Sequence, residues 1–175
     1  MKKYSNRCVS CRLFYLTKPE SQCKTCDPDS KSGLRARYKE LKLKAVLEKR
    51  LPGVSIVHNK TIGGYRPDFL IRLQTHSVVI ECDEHGHDKY PADGERAREF
   101  NIAQAQAQPT IFIRFNPDSF KGADGKTKYI SQTDRHDQLI ACVKTYLQPQ
   151  VDWGFGVINP LIYPVKVIRL FYDEN

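Results

Sequence analysis

No apolar run of about 18 residues occurs in this chain, and no apolar segment follows its basic start, so neither a membrane span nor a secretory signal is expected. The expectation is an intracellular protein with no membrane partner. No internal repeat is visible either. The 175 residues allow one domain of ordinary size plus a small appendage. A hydrophobic content of 40% with 27% charged residues describes a globular chain rather than a disordered one.

Negative charge is scarce in one place only. Residues 1–50 carry 14 Lys or Arg against 5 Asp or Glu, giving +9, whereas residues 51–175 carry 14 against 15, giving −1. The first third therefore reads as a surface for a polyanion and the remainder as the part that holds acidic chemistry. A lysine-rich helix is often only a solvated face, and the basic excess alone leaves that reading open.

The six cysteines divide in the same way. Cys8, Cys11, Cys23 and Cys26 form two Cys-x-x-Cys pairs with 11 residues between them, while Cys82 and Cys142 stand alone in hydrophobic surroundings. The first four read as one structural, tetrahedral Zn2+ site. Each turn presents two sulfurs to one ion, and a segment of about thirty residues has too little core to fold without such a staple. Two disulfides are the competing reading, and the missing export signal weighs against them. An iron–sulfur cluster remains open, though nothing else suggests electron transfer. Cys82 and Cys142 read as small core residues.

Glu81 and Asp83 lie two residues apart in the run Ser-Val-Val-Ile-Glu-Cys-Asp-Glu-His-Gly-His (77–87). Side chains i and i+2 of a strand share a face, so these carboxylates repel unless a cation lies between them. Asp68 also stands at a strand boundary, between Pro67 and the apolar Phe69, Leu70 and Ile71. Three carboxylates at adjacent strand ends make a hard-oxygen site suited to Mg2+ or Mn2+. Solvated surface acids are the bland reading of the same residues. His87 is a candidate to take or relay a proton beside them, whereas His85 reads as polar surface.

Along the chain, residues 1–30 form the zinc module, with Asp27 to Gly33 as a polar linker. A basic helix is predicted over 34–51, ended by Pro52-Gly53, and strands over 54–58, 68–73, 77–83, 110–115 and 165–171. Gln74-Thr75-His76 fits a hairpin, and further helices are predicted over 93–107 and 133–147. Glu95 and Arg98, one turn apart, read as an intrahelical ion pair. Whether Arg114 meets a phosphate or a core carboxylate is open. The fold class is α/β, a mixed central sheet flanked by helices, with a right-handed crossover from 77–83 to 110–115. The main domain spans 31–150. The extension 151–175, which holds Trp153-Gly154-Phe155-Gly156, is a strand or strand pair packed on the core or at an interface.

Pro67-Asp68, a spacer, then Glu81-Cys82-Asp83 at the end of a hairpin, with strand and helix following, resembles the PD-(D/E)XK restriction-endonuclease-like superfamily. Arg66-Pro67-Asp68-Phe69-Leu70, Glu81-x-Asp83-Glu84-x-x-His87-x-x-Tyr90, Glu95-x-x-Arg98 and Ile113-Arg114-Phe115-Asn116-Pro117-Asp118 look like a group of nuclease-like proteins of large DNA viruses and eukaryotes. The likeness spans about residues 35–147. Very-short-patch-repair and related homing endonucleases are similar more loosely.

The resemblance implies a restriction-endonuclease-like domain and Mg2+- or Mn2+-dependent hydrolysis of DNA to a 5′-phosphate and a 3′-hydroxyl. Asp68, Glu81 and Asp83 would be metal ligands. Glu40, three and seven residues ahead of Leu43 and Leu47, is the acid such proteins often contribute from the helix before the sheet; its plain reading is an i,i+4 partner of Lys44. The third position of the usual Glu-x-Lys is Asp83, so the cation that helps position the attacking water is missing from its place. Arg35, Arg37, Lys39, Lys42 and Arg66 are the candidate nucleic-acid contacts. The expected partner is DNA, as a duplex, in a nucleus, nucleoid or virus-infected cell, with a homodimer left open. A catalytically inert nucleic-acid-binding protein on the same fold is the alternative, and an adaptor for an acidic protein the third reading.

Overall fold

The computed structural model describes residues 6–12, 15–16, 22–23, 26–27, 34–35, 38–84, 92–148 and 162–173. Two compact units are present, Met1–Lys42 and Leu43–Asn175. In the first, β1 (Asn6–Arg7), β2 (Tyr15–Leu16) and β3 (Leu34–Arg35) form an antiparallel sheet in that order. Its core is small: Cys8, Leu16 and Cys23 are fully buried, with Cys11 and Leu41 packed against them. The unit reaches Lys42 rather than ending near residue 30, because β3 pairs with β2. For the same reason the helix predicted from 34 begins later, as α1 (Tyr38–Arg50).

The larger unit is built on a five-stranded sheet. Its strands are β4 (Ile56–His58), β5 (Phe69–Arg72), β6 (Ser77–Cys82), β7 (Thr110–Phe115) and β10 (Val165–Leu170), in the order β10-β7-β6-β5-β4. β4, β5 and β6 pair antiparallel, and β6, β7 and β10 pair parallel. The predicted extra strand over 165–171 is therefore part of the main sheet. β6 and β7 are buried along their whole lengths. Strands covered on both faces read as unbroken apolar runs, here Val78-Val79-Ile80 and Ile111-Phe112-Ile113.

Alternation sorts these side chains onto two faces. Phe69, Ile71, Val78, Ile80, Ile111 and Ile113 pack with Leu43, Leu47 and Leu51 and with Leu139, Ile140 and Val143 of α3 (Gln132–Tyr146). Leu70, Val79 and Phe112 pack on the other face with Ile102 of α2 (Ala92–Gln106). Each such buried aliphatic side chain stabilises the fold by about 1.5–3 kcal/mol. Gly63, at φ +55°, lets the β4–β5 loop meet α2: a Cβ there would stand 2.7 Å from that of Ala105.

The β5–β6 hairpin closes through Leu73 N–H to His76 O at 2.9 Å. Buried His76 lies 2.8 Å from Thr75 Oγ1 and 2.7 Å from the Tyr146 carbonyl at the end of α3. Between β7 and α3 lies an element the sequence patterning did not predict, a hairpin of β8 (Phe120–Lys121) and β9 (Thr127–Lys128). Trp153 to Gly156 fall outside the described residues. Among the described residues no helix is long and apolar enough to cross a membrane.

Candidate functional site

The N-terminal unit brings its four cysteines together. One sulfur from each of Cys8, Cys11, Cys23 and Cys26 lies within 4.8 Å of the others, and all four are free thiols. Both Cys-x-x-Cys turns close alike: Arg12 N–H donates to Cys8 O at 3.0 Å, and Asp27 N–H to Cys23 O at 2.8 Å. Cys11 Sγ and Cys23 Sγ stand 3.8 Å apart. A tetrahedron with metal–sulfur bonds of about 2.3 Å has an edge of about 3.8 Å, so the thiols fit one chelated ion of the kind a structural zinc site holds.

In the larger unit, the adjacent ends of β5 and β6 bring two of the three acids together. Asp68 Oδ2 accepts from the Cys82 amide at 2.9 Å, and Glu81 Oε2 accepts from the Asp68 amide at 3.3 Å. These bonds cross between the strands, so sheet pairing itself sets the two carboxylates side by side. Glu81 is 5% exposed. Burial, then the charge of Asp68, pushes its carboxyl up to about 8, while Arg98 pulls the other way. Arg98 Nη2 stands 2.7 Å from Glu81 Oε1, yet that oxygen receives no aligned hydrogen bond. Burial outweighs the opposing pull of Arg98 on this carboxyl.

Asp83 departs from the three-acid site expected. It lies one residue beyond β6, where its N–H donates to Phe115 O at 2.8 Å, and its carboxylate is turned to Arg114. Arg114 Nε donates to Asp83 Oδ2 at 2.5 Å, and Tyr172 Oη donates to the same oxygen. Arg114 also holds Glu95 with both terminal nitrogens, one at 2.7 Å, and Glu99 at 3.1 Å. Among the described residues, only the four cysteines form a group of three or more His, Cys, Asp or Glu side chains close enough to share an ion. Among the described residues the acidic site is thus a pair, Asp68 and Glu81, beside a buried ionic network.

The network answers the question Arg114 posed, since its partners are core carboxylates. Burial disfavours the Arg114 charge, but bonds to Glu95 and Asp83 outweigh it and raise its pKa. Burial raises the carboxyl of Glu99 and the phenol of Tyr172. Glu95 and Arg98 do not pair along their helix as expected. Each reaches off α2 to the strand ends, Glu95 to Arg114 and Arg98 to Glu81. The i,i+3 spacing signalled a pair, but two opposite charges waiting in the sheet outcompeted it.

The remaining described candidates belong to different elements of the chain. Arg66 Nε donates to Asn59 Oδ1 at 3.0 Å, and its buried Nη2 has no hydrogen-bond partner. Glu40 is buried in the first turn of α1. Lys42 is exposed and Lys39 half-buried, and Arg35 lies in β3. Arg37, His85, His87 and Tyr90 lie outside the described residues.

No protein-family profile matches the chain, and no curated protein matches it. Its fold is similar to part of a chain in the refined half-complex from the tetradecameric assembly of Thermococcus gammatolerans McrB AAA+ hexamers with bound McrC. The TM-score is 0.44 and the identity 14%, over 66% of this chain and 34% of that one. This chain thus spans about a third of the length of the chain it matches, and a likeness that low carries no weight for function.

Proposed function

We propose that the protein is a metal-dependent DNA endonuclease of the PD-(D/E)XK kind, with Asp68 and Glu81 as the acids that hold Mg2+ or Mn2+ and the four-cysteine cluster filled by structural Zn2+. The observation that carries this reading is the Asp68–Glu81 pair: two carboxylates from adjacent strand ends, one buried with an oxygen lacking an aligned donor. Two carboxylates suffice, because Mg2+ is commonly held by one or two acids together with substrate phosphate. Once bound, the ion supplies a Lewis acid and an activated water for attack on a phosphodiester.

The chain's own residues do the rest. Burial and the charge of Asp68 push the Glu81 carboxyl up to about 8, so a bound cation would have to replace its proton. Arg98, the cation beside the pair, stands in for the lysine that Glu-x-Lys would supply, and its 29% side-chain exposure leaves it able to meet a phosphate oxygen. Asp83, tied to Arg114, is a positioning residue rather than a ligand. The basic N-terminal third supplies phosphate contacts, so affinity falls steeply with salt.

One observation favours the inert alternative: the Arg98 guanidinium already lies 2.7 Å from Glu81 Oε1, on the carboxyl that would have to hold the ion. Plasmid cleavage with Mg2+ and with Mn2+ decides. Cleavage abolished by Asp68→Ala and by Glu81→Ala supports the nuclease. Salt-sensitive binding without cleavage in either metal supports the inert protein, and cleavage that survives both substitutions removes the site.

A further inference from the structure

Tyr129 exposes 86% of its surface, more than any other large hydrophobic residue described. It is not on a loose loop. Before it comes the β8–β9 hairpin, whose turn is closed by Gly122 N–H to Lys126 O at 3.0 Å and Gly125 N–H to Gly122 O at 2.8 Å. Gly125 takes φ +69°, a conformation that glycine adopts without strain, so the turn is set at that position. After it comes Ser131, whose Oγ caps α3 by accepting from Asp134 N–H at 3.1 Å.

The base of the hairpin is anchored by a buried arginine. Arg135, 2% exposed, lies over the rings of Phe120 and Phe171, 5.5 Å and 4.8 Å from their centroids. Its Nε donates to Ile130 O at 3.1 Å and its Nη1 to Asn116 O at 2.9 Å. Lys121 N–H donates to Asp173 Oδ1 at 2.6 Å, which ties the hairpin to the segment after β10. Both flanks of Tyr129 are thus held, so its backbone position is fixed while its ring faces solvent.

The position is as informative as the rigidity. β6, β7 and β10 run parallel, so their C-terminal ends share one edge of the sheet. Glu81 lies at that edge, and the hairpin leaves from it a few residues after β7. Lys121 and Lys126 are exposed on the hairpin, and Lys128 is paired with Asp124 at 3.0 Å. An exposed ring on a held backbone, flanked by exposed cations, fits a nucleic acid, with a base on the ring and phosphates on the lysines. A ring stacks most fully on an unpaired base, which can leave the helix to meet it, whereas a paired base is held in the duplex with at most one face free at a blunt end.

We propose that the β8–β9 hairpin and Tyr129 form a nucleic-acid contact that selects DNA with an unpaired base, such as a single-stranded overhang, over blunt duplex. The proposal rests on the nuclease reading for the identity of its partner, not for its geometry. Binding of the full chain is measured by fluorescence anisotropy without Mg2+ or Mn2+. The probes are a blunt duplex, the same duplex with an overhang, and heparin as competitor.

Tyr129→Ala is expected to weaken overhang binding about tenfold or more with little change on blunt duplex, and Tyr129→Phe to bind like the parent. Lys121→Ala with Lys126→Ala should weaken both and lower the salt slope by about 1.5. Equal binding by Tyr129→Ala and the parent overturns the proposal, as does the absence of any DNA binding. Heparin bound as tightly as the overhang, with Tyr129→Ala indifferent, also overturns it and points to an acidic protein or polysaccharide. The binding readout is independent of cleavage: an inactive protein that still loses overhang affinity on Tyr129→Ala sinks the nuclease and keeps the hairpin.

Discussion

Asp68 and Glu81 are locked to each other through the main chain: the Asp68 amide donates to Glu81 Oε2 at 3.3 Å, and Asp68 Oδ2 takes the amide of the next residue, Cys82, at 2.9 Å. Their closeness is set by the β5–β6 pairing and does not wait for a metal. Burial first, and then the charge of Asp68, raise the Glu81 carboxyl from 4.5 to about 8. The stability contributed by that protonated carboxyl is fully present below about pH 4.5 and is lost as pH rises through about 8.

Urea unfolding without Mg2+ or Mn2+ should therefore show stability falling between about pH 5 and 8, by up to about 1.4 kcal/mol per pH unit from this group. Glu81→Gln, which cannot ionise, is expected to flatten that slope. An unchanged slope in the variant would mean that Glu81 does not carry the buried proton.

Arg114 is surrounded by Asp83, Glu95 and Glu99 and is itself buried. Arg114→Met leaves three carboxylates without their cation and should cost about 3–5 kcal/mol in urea unfolding. Arg114→Lys keeps the charge but cannot satisfy Asp83 and Glu95 with one planar fork, so an intermediate loss is expected.

That network marks the limit of what the sequence disclosed. Val78 to Ile80 and Ile111 to Ile113 announce buried strands by their apolar runs, and the two Cys-x-x-Cys pairs announce their cluster by their spacing. Asp83 pointed to a metal because i and i+2 share a face. Only the register that sets Glu81 opposite Arg114 shows a guanidinium near enough to take it. Arg98 misled for a similar reason, since local spacing offered Glu95 while the fold supplied Glu81. The β8–β9 strands are two residues each, too short for any period, although Asp124-Gly125 was a turn signal.

Arg98→Ala removes the one influence from a neighbouring cation that lowers the Glu81 pKa, so the Glu81 carboxyl should titrate higher still. If Arg98 also meets the phosphodiester, cleavage should fall about 100-fold and recover in part with Arg98→Lys. A pH–rate profile separates the roles: a displaced profile alone reports the effect on Glu81, and a lower plateau reports the phosphate contact.

Elemental analysis of the purified chain should find about one zinc ion, lost on Cys23→Ser. The N-terminal unit has little core besides Leu16 and its cysteines, so the variant should become protease-sensitive there. The five-stranded unit has its own apolar core and should resist. Full zinc content in the variant would contradict the assignment of the four cysteines to one ion.

The most direct measurement is anomalous diffraction from crystals of the full chain soaked in Mn2+. We expect a peak between the Asp68 and Glu81 carboxylates, absent in Glu81→Gln, with Asp83 still paired to Arg114. A saturating soak that leaves that place without a peak, or puts the ion on Asp83 away from Asp68, would contradict the account.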